Sequence, residues 1–358
     1  MTTNKPSTNK PVTKNAGSAV VASVESSEQA LAGSPLGAHD LDPKFKQAYR
    51  ARSLLNLLQM GHCAPTATQT ILDLSDTEKE WLVKLAAGMP GGIGNTGFEC
   101  GGLTSPLVLL GLRYGLGAPQ QGLPLIFYKG HDYRQRFWAR HGTLCCNAIL
   151  SNARFPRRCI GVICHTPELY AETITSDSLP AIPEAQRAAY RQLYAYMSGN
   201  GFHCAHAVLQ QVDALQPLSQ ELRAGTAAFM GGTIFLGMTC SALTAGVMAL
   251  GLRLGEIETN PLRVARMLAL MSLRGNAFAD NINKFNRTMN MGNKLAHWFT
   301  NEFGSTQCRA ITACDFSCAA GVCQYQASNA IAKCKLIAEK VAHKVQQVIE
   351  LEGVELSQ

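Results

Sequence analysis

The stretch Ala86-Ala87-Gly88-Met89-Pro90-Gly91-Gly92-Ile93 decides the fold, because it returns as Ala227-Ala228-Phe229-Met230-Gly231-Gly232-Thr233-Ile234. The offset from residue 86 to residue 227 is 141. The same offset joins Gly61-His62-Cys63-Ala64 to Phe202-His203-Cys204-Ala205. An internal repeat of this kind predicts two copies of one structural unit.

Five cysteines recur in the same order in both copies, so the repeat carries chemistry as well as fold. The last two of each set share the spacing Cys-x4-Cys. The ten matched residues are Cys63, Cys100, Cys146, Cys159 and Cys164 in the first copy, and Cys204, Cys240, Cys308, Cys318 and Cys323 in the second. The unmatched Cys145, Cys314 and Cys334 are predicted to be small buried hydrophobic residues or supporting residues rather than ligands.

The composition differs from that of a secreted scaffold held together by disulfides. The chain has 358 residues and 13 cysteines, is 46% hydrophobic and 16% charged, and can bury a large core without disulfides. Its first 24 residues lack the apolar run and cleavage site of a signal peptide, which predicts a cytoplasmic protein. Thiols stay reduced in that compartment, so the many cysteines favour metal binding or thiol catalysis.

Charge and hydropathy argue against nucleic acid and membrane partners. The net charge of +7 is spread along the chain without a basic block or interleaved aromatic residues, so no nucleic-acid partner is predicted. Residues 225–252 carry no charge over a length that could span a bilayer. The equivalent residues 85–112 contain Pro90 and Glu99, and paired glycines interrupt both segments, so a buried helix–loop–helix is predicted instead of a membrane span.

Hydrophobic periodicity predicts a mainly α protein. Apolar residues recur at helical spacing in residues 185–197, 262–273 and 331–349, whereas the alternation typical of strands is rare. A duplication often replaces a two-fold homodimer. We therefore expect two tandem homologous helical domains that pack as an intramolecular pseudo-dimer.

The domain boundaries follow from composition. Residues 1–43 are rich in Lys, Thr, Ser, Asn and Pro and are predicted to be a disordered tail. The two cysteine-rich repeats are predicted at residues 44–174 and 188–351. The linker between them is placed at residues 175–187, which contain two of the chain's prolines within Thr175–Pro183.

These motifs resemble one protein family twice over. Each copy has His-Cys-Ala ahead of a helix, a paired-glycine turn, and a Cys-small-small-Leu-Thr segment that runs into Gly-Leu-Arg-x-Gly. The pattern resembles the redox-active family that is named C_GCAxxG_C_C after its cysteines. The glycine before the second cysteine is replaced by Glu99 or Thr239, and the alanine after it by Gly101 or Ser241.

The resemblance implies a cofactor as well as a fold. The related split-Soret cytochromes join such a domain to haem sites and an iron–sulfur centre. A cysteine-bound iron–sulfur cluster is therefore the role that the resemblance implies for this chain.

The residue types favour metal–thiolate chemistry and leave alternatives open. Iron–sulfur clusters and structural zinc are both bound by converging thiolates, and each copy offers four or five. No Cys-x2-Cys pair occurs within either copy, so the ligands would come from distant segments. Thiol/disulfide chemistry, metal storage without turnover and buried structural thiols are the alternatives. Two separate clusters and one shared cluster are both compatible with ten thiols.

Histidines next to the cysteines are assigned supporting roles. His62 and His203 precede the first cysteine of each copy, and neighbouring helical residues point about 100° apart. They are predicted to donate hydrogen bonds to sulfur at the cofactor, or to be ordinary packed histidines, rather than to bind metal. Cys159-x4-Cys164-His165 matches a form of the c-type haem motif, but the second copy ends in Gln324, so a surface or capping position is predicted for His165.

The sequence therefore predicts a redox or electron-transfer protein whose ten matched cysteines bind iron–sulfur clusters. Its partner is expected to be a redox protein or a small-molecule electron acceptor. Oxidoreductase activity and assembly into a homo-oligomer stay open.

Overall fold

A computed structural model describes residues 43–117, 119–120, 122–151, 157–177, 180–255, 260–274 and 287–356. The tail predicted for residues 1–43 lies outside the described residues, apart from Pro43.

The first repeat consists of helices and one short pair of strands. Its elements are α1 (Pro43–Met60), α2 (Cys63–Leu74), α3 (Glu80–Ala86), α4 (Gly101–Tyr114), β1 (Pro119–Gln120), β2 (Leu123–Pro124), α5 (Leu125–His141), α6 (Cys146–Ser151) and α7 (Arg157–Thr175). The two strands pair antiparallel.

The described part of the second repeat is helical. Its helices are α8 (Glu184–Gly199), α9 (Cys204–Leu209), α10 (Gln220–Gly225), α11 (Ser241–Leu254), α12 (Pro261–Arg274), α13 (Arg287–Phe303), α14 (Cys308–Thr312), α15 (Ala319–Ala327) and α16 (Ala330–Leu356). A 3-10 turn at Asp213–Leu215 lies between α9 and α10. The predicted mainly α class is confirmed.

The central helix of each repeat explains the long uncharged segments of the sequence. Helices α4 and α11 are apolar around nearly their whole circumference, and almost all of their residues are buried. A helix that is hydrophobic all round belongs in a core or a membrane. Residues 225–252 form the end of α10, a turn and α11, and no helix of the described residues is long and apolar enough to cross a bilayer.

Corresponding helices make corresponding contacts in the two repeats. Helix α7 packs on α2, α4 and α5, and α16 packs on their equivalents α9, α11 and α13. Helices α7 and α16 are therefore counterparts. Helix α15 lies between α8 and α16, and no described helix of the first repeat corresponds to it.

The two repeats bury small residues against each other in a reciprocal way. A Cβ atom added at Gly111 of α4 would lie 2.5 Å from the carbonyl oxygen of Ala224, at the end of α10. A Cβ atom at the equivalent Gly251 of α11 would lie 2.5 Å from the carbonyl oxygen of Lys84, in α3. Each central helix thus touches the backbone of the other repeat. This exchange of equivalent contacts is the signature of a two-fold interface and confirms the pseudo-dimer.

Aromatic and polar contacts complete this interface. The rings of Phe127 and Phe235 stack with centroids 4.5 Å apart. The Nε2 atom of His131 lies 3.0 Å from the carbonyl oxygen of Ile234. Burial lowers the pKa of His131 to about 3, so the ring is neutral in the folded protein.

Replacing Gly251 by Ala should destabilise the protein, because the new methyl group would press on backbone atoms that cannot rotate away. Overpacking of this kind costs about 1–3 kcal/mol. Gly161→Ala is the control, since a Cβ atom there meets no described atom within 4 Å and a helical Gly→Ala change gains about 0.5–1 kcal/mol. Urea unfolding measures the unfolding free energy of both variants. Equal stability of the two variants would contradict close contact between the repeats.

The neutral His131 should make the protein less stable in mild acid. The unfolded chain protonates this ring near pH 6.5 (about the ordinary value), whereas the folded protein does so only near pH 3. Stability contributed above pH 6.5 is therefore lost as the pH falls towards 3, by at most about 1.4 kcal/mol per pH unit. His131→Gln, which cannot protonate, should show a shallower loss of unfolding free energy between pH 7 and pH 5. The exposed His343→Gln is the control, and parallel curves for the two variants would refute the assignment.

Candidate functional site

A left-handed turn follows α3 and α10 and is the unusual feature of both repeats. In each turn five consecutive residues have positive φ. The values are 71°, 84°, 54°, 67° and 58° at Gly91, Gly92, Ile93, Gly94 and Asn95, and 60°, 70°, 61°, 45° and 62° at Gly231, Gly232, Thr233, Ile234 and Phe235. Left-handed conformation costs a residue with a side chain roughly 1–2 kcal/mol. Strain of this kind persists only where surrounding structure enforces it.

The paired glycines predicted a tight turn here, and the structure shows a longer one. Equivalent hydrogen bonds join Gly97 N to Gly91 O at 2.8 Å and Gly237 N to Gly231 O at 3.0 Å. The two turns are therefore related by an offset of 140, one less than the offset of 141 between Cys63 and Cys204. The segments 86–93 and 227–234, aligned above at an offset of 141, are therefore out of register by one residue at their glycine pairs.

The turns direct backbone amides at cysteine sulfurs. The N–H of Gly91 bonds Cys63, and the N–H of the equivalent Gly231 bonds Cys204. A Cβ atom on the neighbouring Gly92 would lie 2.5 Å from Phe98 N, so the turn cannot hold a larger residue there. The strained backbone thus supplies a hydrogen-bond donor to the first cysteine of each repeat.

Helix N-termini supply further donors. Three cysteines of each repeat stand at the first residue or the N-cap of a helix: Cys63, Cys100 and Cys146 at α2, α4 and α6, and Cys204, Cys240 and Cys308 at α9, α11 and α14. The unpaired N–H groups and the dipole at this end of a helix favour negative charge. Such positions stabilise thiolates.

Backbone hydrogen bonds hold the second and third cysteines of each repeat together. Cys100 N donates to Leu144 O at 2.9 Å, and Cys146 N donates to Phe98 O at 2.6 Å. In the second repeat Cys240 N donates to Thr306 O at 2.8 Å and Cys308 N to Met238 O at 2.7 Å. The same short antiparallel pairing therefore builds both sites.

Four thiols meet in the first repeat. The Cys159 thiol donates a hydrogen bond to the Cys63 sulfur and lowers the pKa of Cys63, with help from the Gly91 amide. The same bond, together with burial, raises the pKa of Cys159. A hydrogen bond to Cys100 and burial raise the pKa of Cys146, and the charges of Cys63 and Cys159 add to that rise. We call these four residues, Cys63, Cys100, Cys146 and Cys159, site 1.

Four thiols also approach one another in the second repeat, but the fourth is Cys334. Burial raises the pKa of Cys204 and Cys240, that of Cys240 to about 12, and the nearby Cys334 contributes to both shifts. Burial and the charges of the other three thiols raise the pKa of Cys308. We call these four residues, Cys204, Cys240, Cys308 and Cys334, site 2.

The pairing of Cys159-x4-Cys164 with Cys318-x4-Cys323 is wrong. Because α7 and α16 are counterparts, Cys159 corresponds to Cys334. Cys318 and Cys323 belong to the additional helix α15, and both are exposed. An insertion with the same spacing hid the true match, although each true cysteine follows a basic residue, Arg158 or Lys333.

The remaining cysteines are placed apart from the two groups of four. Cys164 is buried on α7, and the charge that acts on it is that of Arg50 on α1. The Cys318 sulfur lies 3.6 Å from Asp315 O, and Gln192 Nε2 lies 3.7 Å from the Cys323 sulfur. The exception is the buried Cys314, which bonds Thr312 O at 3.1 Å and adds to the raised pKa of Cys308 and Cys334, so it lies near site 2.

His203, which precedes the first cysteine of the second repeat, faces the backbone. His203 Nε2 lies 3.1 Å from Ala227 O, and His203 Nδ1 accepts a hydrogen bond from His206 N at 3.3 Å. One ring nitrogen of His203 therefore contacts the segment after α10 and the other contacts the first turn of α9, rather than a sulfur. His62 is half-buried at the N-cap of α2, and burial and Arg263 lower its pKa to about 4. His165 stacks on His141 with ring centroids 5.7 Å apart.

Glu99 links the two sites across the pseudo-two-fold axis. Its carboxylate is fully buried and accepts hydrogen bonds from Thr239 N at 3.0 Å and from the Thr233 hydroxyl at 3.2 Å. Glu99 and Thr239 directly precede Cys100 and Cys240. Burial raises the pKa of Glu99, although the bonds from Thr239 and Thr233 oppose the rise.

Small residues after the second cysteine are a steric requirement. A Cβ atom at Gly101 would lie 2.7 Å from the Cys63 sulfur. In the second repeat the equivalent Ser241 has its hydroxyl oxygen 3.2 Å from Gly232 N and 3.4 Å from Thr233 N. The side chain of Ser241 thus supports the left-handed turn.

A family model described as putative redox-active protein (C_GCAxxG_C_C) matches residues 61–173 and 202–348, which together exceed half of the chain. The chain belongs to this family. The C_GCAxxG_C_C match occurs twice, as expected of a tandem duplication, and both groups of four thiols fall within it. No curated protein and no solved structure matches the chain.

The C_GCAxxG_C_C family description carries a redox role and names no cofactor. Within the described residues, no group of three or more Cys, His, Asp and Glu side chains is arranged to hold a metal ion.

Alkylation of the reduced protein should distinguish exposed from clustered cysteines. Cys318 and Cys323 are exposed, whereas the four thiols of site 1 are buried or half-buried, and reactivity requires access. Brief treatment with iodoacetamide under native conditions should therefore label Cys318 and Cys323 first, as read by peptide mass spectrometry. Fully denatured protein is the control, and equal labelling of Cys63 and Cys318 in the native protein would contradict the placement of site 1.

Proposed function

We propose that the protein transfers electrons through two iron–sulfur centres, one bound by the thiolates of site 1 and one by those of site 2. The observation that supports the proposal is the proximity of four cysteine thiols in each repeat, with backbone N–H donors at Cys63, Cys204 and Cys240. Cysteine thiolates are the usual ligands of such clusters, and hydrogen bonds to sulfur tune their potential.

The donor set fits this cofactor chemically. Burial disfavours free thiolates in site 2, so its sulfurs stay protonated until a cation compensates their charge. Metal binding would displace these protons, which couples binding to pH. The amides of Gly91 and Gly231 would stabilise the negative sulfurs after the protons leave.

An iron–sulfur cluster distributes its thiolates over several iron atoms. Its ligand sulfurs therefore surround the cluster instead of gathering on one ion. This distinguishes the proposed centre from a single-ion site, for which the described residues offer no ligand group.

Thiol/disulfide chemistry at site 1 is the second candidate. The hydrogen bond between Cys159 and Cys63 brings two sulfurs together and lowers the pKa of one of them. Attack of the Cys63 thiolate on a partner disulfide would form a mixed disulfide and release one partner thiol. Attack by Cys159 would then release the second thiol and leave a Cys63–Cys159 disulfide. Two electrons and one disulfide bond are thereby exchanged.

Iron and acid-labile sulfide, counted per chain after anaerobic purification, test the first candidate. Cys334→Ser should lose about half of both, because it removes a ligand from one of two sites. Cys323→Ser is the matched control and should keep the wild-type content, since this cysteine is exposed on α15.

The counts also separate the alternatives. Protein that holds neither iron nor sulfide would refute the cluster proposal and leave thiol chemistry. Metal without sulfide would indicate metal binding or storage. Equal losses in Cys334→Ser and Cys323→Ser would refute the composition proposed for site 2.

A further inference from the structure

Helix α15 gives site 2 a group that site 1 lacks. It packs between α8 and α16, and its two faces differ. Cys318 and Cys323 are exposed, whereas Tyr325 is 1% exposed and turns towards the sulfurs.

The phenol of Tyr325 lies among the thiols of site 2. Its hydroxyl donates to the Cys334 sulfur at an oxygen–sulfur distance of 3.5 Å. Burial raises the pKa of this phenol, and the charges of Cys334, Cys204 and Cys308 raise it further. The geometry of the hydrogen bond thus places the Tyr325 hydroxyl as a donor to the fourth cysteine of site 2.

Aromatic packing fixes the position of the phenol ring. Phe316 meets it edge-on with centroids 5.4 Å apart, and Tyr196 does so at 6.1 Å. Such edge-to-face contacts favour one orientation of the ring. The hydroxyl is therefore held at Cys334 by contacts that do not depend on the hydrogen bond itself.

The fourth cysteine of site 1 has a different hydrogen-bond partner. This residue, Cys159, bonds the Cys63 sulfur, and no tyrosine hydroxyl among the described residues of that repeat bonds Cys159. Backbone donors serve both sites: Gly91, Ala64 and Gly101 at Cys63, Gly231 at Cys204, and Ala242 and Leu243 at Cys240. Glu99 precedes Cys100 and bonds Thr239 beside Cys240, so it adjoins the second cysteine of both sites.

We propose that Tyr325 is a positioning residue that makes the two sites unequal, because its hydrogen bond to Cys334 gives site 2 the higher reduction potential. The redox consequence of this inference rests on the proposed clusters. The hydrogen bond between Tyr325 and Cys334 does not depend on them. A donor to a ligand sulfur stabilises the more negative, reduced state of a cluster and so raises its potential. With clusters bound at both sites, this difference in potential would favour transfer of an electron from a reduced site 1 centre to an oxidised site 2 centre.

The first test uses the metal-free, reduced, full-length protein. The extent of Cys334 alkylation by iodoacetamide is followed against pH by mass spectrometry. Removing a donor from a thiolate raises its pKa, so the midpoint for Cys334 should move to higher pH in Tyr325→Phe. Tyr196→Phe is the matched control, since this residue touches the ring of Tyr325, and its midpoint should equal that of the wild type.

The second test is anaerobic voltammetry of the protein as purified. Cys100→Ser and Cys240→Ser assign the two waves to site 1 and site 2. Tyr325→Phe should move the site 2 wave to lower potential and leave the site 1 wave in place. In the wild type the site 2 wave should be the higher one.

The outcomes separate this inference from the proposed function. A shifted alkylation midpoint in a chain without iron would support the Tyr325–Cys334 bond and refute the clusters. An unchanged midpoint, an unmoved site 2 wave, or a higher wave from site 1 would overturn the inference while leaving the clusters in place. Failure of Tyr325→Phe to fold, with Cys334→Ser folded, would show that the hydroxyl is structural and would overturn it too.

Discussion

Both sites depend on a backbone amide that can reach a buried sulfur only from a left-handed turn. The turn brings Gly91 N to Cys63 and Gly231 N to Cys204, and it does so with side-chain-bearing residues such as Ile93 and Phe235 at positive φ. A right-handed continuation of α3 or α10 would direct these amides along the helix axis instead. The Ser241 hydroxyl accepts hydrogen bonds from Gly232 N and Thr233 N, and Asn293 Nδ2 donates to Asn95 O. These bonds and the buried central helices hold the two turns in place, so that the surrounding structure offsets the strain of the turns.

The sequence was sufficient for the parts of the structure that follow from periodicity and repetition. Helical spacing predicted the α class. The paired glycines predicted that the uncharged segment before and within α11 is not one continuous membrane span, and α11 is a buried core helix. The fourth thiol of site 2 could not be found this way, since Cys318 and Cys323 imitate the spacing of Cys159 and Cys164. The spacing of two cysteines describes only their own segment of the chain. The equivalence of α7 and α16 is visible only in the helices that they contact. Positive φ at Ile93 or Thr233 likewise leaves no trace in residue type, because tertiary contacts enforce it.

Glu99 shows how the pseudo-two-fold axis joins the two sites chemically. Its carboxylate lies where an exact two-fold would place two like residues face to face. Two buried glutamates there would repel each other or share a proton, and two threonines would leave a gap. Thr233 Oγ1 and Thr239 N donate to Glu99 Oε1, and Thr239 Oγ1 donates to Oε2. Both oxygens are thus satisfied by unlike partners at the contact between the segments of Cys100 and Cys240.

The reciprocal insertion of Gly111 and Gly251 into the opposite repeat has an evolutionary consequence. In a homodimer every substitution appears twice, so a change that suits one side of the axis must be tolerated by the other. Fusion of the two copies removes that restriction while the glycine contacts preserve the ancestral geometry. Helix α15, which no described helix of the first repeat matches, and the pairing of Glu99 with Thr239 are differences that two identical chains could not carry. The chain keeps the architecture of a dimer and has gained the freedom to give its halves different tasks.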